Sequence, residues 1–182
     1  MDLTRTQSPN PFDFLPARPE FGVHSMAFGN GEVLPAAQRF NSKEVGGDNV
    51  SPDLSWSSFP SETKGFALTC FDPDAPTVSG FWHWIVIDLD KYITSIDLGA
   101  GSVSEDRLPG NAFHVRNDAG TFGYMGAAPP KGDCFPHRYI FTVYALDTDD
   151  LGVTPDFSAT RASSVLSRHT LARAFLTGLY GY

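Results

Sequence analysis

The chain has 182 residues, with 13 Lys and Arg against 21 Asp and Glu, which gives a formal net charge of −8. This acidity argues against a protein that coats nucleic acid or lies on an anionic membrane surface, because both would repel it. The length suits one domain with a substantial core, and the 17 Gly and 14 Pro indicate many turns, favouring strands over long helices. Two cysteines, Cys70 and Cys134, form no Cys-x-x-Cys pair and are expected to be reduced.

The N-terminal segment is predicted to be an arm outside the domain. Residues 1–20 carry four prolines, which remove backbone donors and hold a chain extended. We therefore expect a flexible Pro-rich arm over residues 1–20 and a single domain over residues 21–182. No apolar run approaches the roughly 18 residues needed to cross a bilayer, and no signal segment is apparent, so a cytoplasmic location is expected. The first strand is predicted within residues 21–28, before a turn at Asn30-Gly31.

Three further segments read as core strands, and each carries a polar residue that a plain core would not hold. Residues 65–71 alternate with period two, which puts Asp72 on one face of the strand. Residues 81–89 are apolar on both faces, as in a sheet covered on both sides, yet include His83. The third strand, residues 137–146, opens on a histidine.

The rest of the chain predicts one long loop and one helix. Glycine and proline interrupt every periodicity over residues 98–136, and so long a loop is usually functional. From Ser163 to Leu179 apolar residues recur at spacings of three and four, with Gly178 and Gly181 near the end. The pattern indicates a mainly β fold with one closing helix.

Sequence motifs of common catalytic sites are absent: there is no Gly-x-Ser-x-Gly elbow, phosphate-binding loop or His-Glu-x-x-His. Other motifs stand out instead, namely Asp72-Pro73-Asp74-Ala75-Pro76, His83 among aromatics, Pro129-Pro130-Lys131-Gly132, His137-Arg138-Tyr139, an early Ser51-Pro52-Asp53-Leu54-Ser55-Trp56 and a late His169-Thr170-Leu171-Ala172-Arg173-Ala174. Together they resemble the phosphatidylethanolamine-binding protein family, also called Raf kinase inhibitor-like proteins, and most of all its bacterial branch. The resemblance covers nearly the whole chain from about Phe21.

The resemblance implies a central antiparallel sheet, a second smaller sheet and a C-terminal helix. It also implies a small anion-accepting pocket at one end of the strands. The ligand-binding residues that it carries over are Asp72, His83, Gly126 and His137, with Pro129 and Tyr139 beside them and Phe81 or Trp82 as the aromatic wall. One departure is Ala128, where many family members keep glycine.

The function implied is binding, without a cofactor and without catalysis. The expected ligand is a phosphate- or carboxylate-bearing small molecule or lipid headgroup. The alternative is a regulatory inhibitor of a protein partner, a kinase or a protease, that acts through its outer surface. The bacterial resemblance also implies a homodimer, and neither nucleic acid nor stable membrane insertion is expected.

The residue types agree with an anion pocket. Two imidazoles can each present an N–H, glycine lets backbone amides approach closely, and Tyr139 adds a hydroxyl donor. Asp72 cannot attract an anion, so we expect it to orient a histidine and favour its charged form. Anion affinity should then fall as the pH rises through the histidine titration range.

Other interpretations of the same residues stay open. His83 alone is more typical of a hydrogen-bonded core histidine, and Asp72 and Asp74 are typical of carboxylates that cap Asp-Pro and Ala-Pro bends. Arg138 is interpreted as a scaffold residue that pairs with one of these acids. A carboxylate with two imidazoles can also hold a metal ion, and Ser79 near His83 is a weak candidate nucleophile without an elbow.

Overall fold

The structure, a computed structural model, describes residues 4–102 and 107–182. The described residues form two 3₁₀ turns, eight strands and one helix: the turns Pro11–Phe14 and Ala36–Gln38, then β1 Gly22–His24, β2 Leu54–Ser57, β3 Gly65–Asp72, β4 Phe81–Asp90, β5 Ser95–Ile96, β6 Phe113–His114, β7 His137–Leu146, α1 Ala159–His169 and β8 Thr170–Tyr180. Residues 103–106, a part of the predicted long loop, lie outside the described residues.

The strands build two sheets whose neighbours are all antiparallel. The larger sheet has five strands in the order β6-β4-β3-β7-β8, and the smaller has three in the order β1-β2-β5. This confirms the predicted mainly β class with a central sheet, a second smaller sheet and one helix near the C-terminus. The three core strands predicted from the sequence are β3, β4 and β7.

Both faces of the five-stranded sheet are covered, which explains why its strands lack polar alternation. Every residue of β3 is buried. On one face, Phe66 and its neighbours pack with residues of the three-stranded sheet such as Leu54 and Trp56. On the other face, Ile85 and its neighbours pack with Leu166 of α1.

The helix differs from its predicted bounds. It begins at Ala159 and ends at His169, and the residues from Thr170 to Tyr180 form β8 instead. Residues four apart share a face in a strand as well as in a helix, so the apolar pattern over this stretch fits both periods. Residues 170–180 form a strand because they pair with β7 along their length. The prediction of a closing helix is therefore wrong beyond residue 169.

The short strands were not predictable from periodicity. β2, β5 and β6 have two to four residues, and β1 occupies only three positions of the predicted 21–28 segment. Such short runs contain too few alternations to distinguish a strand from a loop. The turn at Asn30-Gly31 is confirmed, with Gly31 at a φ of 79° that favours glycine.

The N-terminal arm lies against the domain, although its predicted flexibility stays a prediction. The Phe12 ring packs edge-on against Phe175 of β8, with ring centroids 4.9 Å apart. Backbone hydrogen bonds join Pro19 and Phe21 to Arg173, and the segment from Gly31 to Leu34 bonds further along the same outer edge of β8. The arm and the following segment therefore cover much of that edge.

Candidate functional site

Three strands bring the predicted polar residues to one end of the five-stranded sheet. Asp72 ends β3, while Phe81 and His83 open β4 and His137 opens β7 on either side of it. Antiparallel neighbours place the end of one strand beside the starts of the next, so the sequence gathers these side chains. They surround a cavity of about 230 Å³, here called the histidine pocket, which is lined by Asp72, Ala75, Pro76, Thr77, Phe81, His83, Met125, Ala128, Pro130 and His137.

His137 lies between two carboxylates. Its Nδ1 is 2.8 Å from Oδ2 of Asp72, and its Nε2 is 2.9 Å from Oδ2 of Asp133. Both ring nitrogens can donate only when the imidazole is charged. Burial alone would lower the pKa of His137, but the hydrogen bonds and negative charges of Asp72 and Asp133 raise it above its usual value. The predicted role of Asp72, orienting a histidine and favouring its charge, agrees with this geometry.

Asp133 is held by a second cation from the N-terminal arm. Nε of Arg5 lies 3.2 Å from Oδ2 of Asp133, and the Arg5 guanidinium also contacts the backbone carbonyl of Asp74. Although burial works in the other direction, the hydrogen bonds from Arg5 and His137 lower the pKa of Asp133. A carboxylate of this chain thus lies between an imidazole and a guanidinium.

His83 has a fixed tautomer. Its Nδ1 donates to the backbone carbonyl of Met125 at 2.8 Å, since a carbonyl oxygen can only accept. Nε2 therefore carries no proton in the neutral ring. Burial lowers the pKa of His83, although Asp72 opposes the shift, and the ring packs between Phe81 and Tyr139 at centroid distances of 4.9 and 5.1 Å.

Beside the pocket, the buried Asp74 forms an ion pair with the partly exposed Arg138. The Asp74 carboxylate accepts from Nε of Arg138 at 2.7 Å, from its Nη2 at 2.8 Å and from its backbone N–H at 3.0 Å. These bonds to Arg138 lower the pKa of Asp74 against the effect of burial. The pair ties the turn after β3 to the start of β7, which confirms that Arg138 pairs with one of the two acids, while its scaffold role stays a prediction.

Four residues that the resemblance carried over do not line the pocket. Gly126 packs against the chain at Arg39, where a Cβ would lie 2.5 Å from the carbonyl carbon, so close approach requires glycine. Tyr139 is buried behind His83, and Pro129 is buried next to the lining residue Pro130. Trp82 packs on Phe71 at a centroid distance of 4.5 Å and faces a different cavity, which leaves Phe81 as the aromatic wall.

Four residues at the pocket were missed. Thr77 and Met125 lie in loops without a recognisable motif, and Met125 acts through its backbone carbonyl. Asp133 lies four residues before His137, but this spacing is too common in sequences to indicate a contact. Arg5 is 132 positions away from His137, and nothing in the sequence connects them. No cluster of three or more potential metal-ligating residues occurs among residues 4–102 and 107–182.

The position of His137 predicts a pH-dependent stability. A raised pKa in the folded state adds stability below the unfolded value of about 6.5, and this contribution is lost as the pH rises through the folded pKa. His83, with its lowered pKa, acts in the opposite direction only up to about the unfolded histidine value, so the free energy of unfolding should fall with pH in urea denaturation from pH 7 to 9. His137→Asn should flatten this dependence, whereas substitution of the exposed His24 should leave it intact. An unchanged slope in His137→Asn would contradict the assignment.

Comparison with known proteins places the chain in a family. The family model described as phosphatidylethanolamine-binding protein matches residues 24–181, and the chain belongs to this family. The YbhB protein of Escherichia coli is 42% identical over 153 residues, covering 83% of this chain and 94% of YbhB. The YbcL protein of the same organism is 41% identical over 160 residues, covering 88% of this chain and 87% of YbcL.

Solved structures agree with the fold. The crystal structure of E. coli YbcL, described as a new member of the mammalian PEBP family, superposes with a TM-score of 0.86 at 40% identity, covering 90% of this chain and 99% of YbcL. A putative family homologue from Chlamydia trachomatis, CT736, gives a TM-score of 0.69 at 29% identity, covering 90% and 98%. In the described part of the chain, no helix has the length and apolar character to span a membrane.

Proposed function

We propose that this protein binds a small molecule bearing a phosphate or carboxylate group in the histidine pocket. The observation that carries the proposal is the Asp133 carboxylate, which His137 and Arg5 hold together. An anion of this chain already lies where two cationic donors converge, so the donors suit an anionic group from outside. The ligand would take the place of Asp133 on Nε2 of His137.

His83 would add a proton-coupled contact. Because its Nδ1 donates to Met125, Nε2 becomes a donor only when the ring is protonated, and burial opposes that charge. An anion in the pocket would offset part of this cost by pairing with the imidazolium. Binding should therefore take up a proton at His83 and weaken as the pH rises.

The dimensions favour a small ligand. Pockets for drug-sized ligands usually have volumes of roughly 300 to 1,000 Å³, and the histidine pocket has about 230 Å³. This volume suits a headgroup-sized anion with Phe81 and Pro76 against its apolar part. The ligand need not be a whole phospholipid.

Calorimetric titration with acetate, phosphate and phosphoethanolamine tests the proposal. Acetate keeps one charge between pH 6 and 8, whereas a phosphate ester titrates near a pKa of about 6, so acetate isolates the response of the protein. We expect tighter acetate binding at pH 6 than at pH 8. Titrations in buffers of different ionisation enthalpy should show proton uptake.

Variants connect this binding to the pocket. A charge-assisted hydrogen bond contributes about 1.5 to 3 kcal/mol, so His83→Gln should weaken binding at pH 6 at least about tenfold and remove the proton uptake. His24→Gln, a matched change at an exposed histidine of β1, should have no effect. Binding that is independent of pH, or absent for all three anions, would contradict the proposal and favour a surface-acting inhibitor.

A further inference from the structure

A second cavity lies on the opposite face of the five-stranded sheet, independent of the histidine pocket. It has a volume of about 490 Å³ and lies between the N-terminal arm, the sheet and α1. Its apolar walls include Phe12 and Leu15 of the arm and the packed rings of Phe71 and Trp82. The volume falls in the usual range for small-molecule sites.

Arg173 of β8 is buried at this cavity, and the described residues give it no counter-ion. The residue is 4% exposed, its Nε has no hydrogen-bond partner, and its Nη1 reaches the carbonyl oxygen of Pro16 at 3.3 Å. Among the described residues, no carboxylate lies within 4 Å of its guanidinium, although Asp13 and Glu20 line a neighbouring cavity that Arg173 also borders. Burial accordingly lowers the pKa of Arg173. A buried charge of this kind is costly unless it is paired.

The helix side of the cavity is also positive and polar. Arg168 lines it together with the hydroxyl-bearing Ser163, Ser164 and Ser167, and no acidic residue is among the described lining residues. The helix α1 contains two arginines and no Asp or Glu. In a protein whose formal net charge is −8, this is a local positive surface next to an apolar one.

We propose that this second cavity binds a free organic anion with an apolar body, of the class of medium-chain carboxylates. The carboxylate would pair with Arg173 and the chain would lie against Phe71 and Trp82. Arg173 is buried and the N-terminal arm lies at the cavity, so a lipid held in a bilayer could not reach the guanidinium easily. A free single-chain anion is therefore favoured. A single carboxylate would supply the counter-ion that residues 4–102 and 107–182 do not.

Titration with decanoate tests this proposal. Binding is detected by calorimetry and by the fluorescence of the tryptophans, including Trp82. Decanoate should bind saturably, decanol at least tenfold more weakly because it lacks the charge, and acetate should not compete. Equal affinities for decanol and decanoate, or an absence of saturable decanoate binding, would overturn the proposal.

Variants locate the binding. Arg173→Met removes the charge but keeps much of the side-chain length, and should weaken decanoate binding at least tenfold without lowering the thermal midpoint, because a buried unpaired charge is replaced by an apolar group. Arg161→Met is the matched control, since Arg161 lies on α1 over the Phe157 ring and does not line the cavity. It should leave the affinity unchanged, and equal losses in both variants would overturn the proposal.

Two further variants keep the test decisive. Ser163→Phe fills the cavity from α1 while leaving Arg173 in place, so it should block decanoate even if Arg173→Met does not fold. His83→Gln should leave decanoate binding unchanged, because His83 lies in the histidine pocket on the other face. Loss of decanoate binding in His83→Gln, or its persistence in Ser163→Phe, would overturn the assignment to the second cavity.

Discussion

Asp74→Ala is expected to reduce the free energy of unfolding by about 2 kcal/mol or more. Removing one partner of a fully buried ion pair typically costs about 3 to 5 kcal/mol, and the cost here is smaller because the Arg138 side chain is 20% exposed. The Asp74 side chain is fully buried and accepts three hydrogen bonds from Arg138, one of them from its backbone N–H. Urea denaturation followed by tryptophan fluorescence measures the loss.

The chain supplies a matched control for this variant. Asp147 pairs with His169 at 2.8 Å, but both side chains are substantially exposed, at 51% and 40%. Exposed pairs contribute about 0 to 1 kcal/mol, so Asp147→Ala should cost much less. Similar losses in the two variants would contradict a buried scaffold role for Asp74.

The effect of Asp74 should also depend on pH in a defined direction. A depressed pKa in the folded state adds stability above the unfolded value of about 3.9, and this stability is lost as the pH falls through the folded pKa. The difference between the wild type and Asp74→Ala should therefore shrink in acid.

Asp133→Asn is expected to strengthen the binding of acetate or phosphate at least tenfold. The substitution keeps the shape of the side chain but removes the negative charge that pairs with His137 and Arg5. Both cations then become available to an external anion, and a charge-assisted hydrogen bond is typically worth about 1.5 to 3 kcal/mol. Calorimetric titration at pH 6 measures the change.

Asp147→Asn serves as the control for charge alone, because Asp147 follows the opposite end of β7 from His137. It changes the net charge equally but should alter the affinity little, since exposed charges far apart are screened. If Asp133→Asn bound anions no better than Asp147→Asn, the Asp133 carboxylate would not occupy the ligand position.

Much of the fold was predictable because long strands carry strong local signals. The bounds of β7 were predicted to the residue, and β3 and β4 were each one residue short at the C-terminal end. The sequence wrongly predicts a helix over β8, because its apolar residues lie at spacings that fit both the helical period of 3.6 residues and the strand period of two. Its assignment depends on pairing with β7, a contact that no local pattern reveals.

The candidate site was predictable only in part. Asp72, His83 and His137 stand at strand ends or on apolar faces, and the resemblance to a known family predicts that they share one pocket, as all three do. Asp133 and Arg5 complete the geometry through tertiary contacts, and Arg5 comes from an arm that composition suggested was flexible. Long-range contacts of this kind leave no periodic or motif signal in a single sequence.

The covered outer edge of β8 limits how copies of this chain can associate. An open strand edge presents unpaired N–H and C=O groups, which favour sheet-to-sheet addition and aggregation. Here the backbone of Arg173, Thr177 and Leu179 already bonds to the segments before and after β1. A homodimer, which stays a prediction, would therefore not form by continuing the five-stranded sheet past β8 into a second subunit.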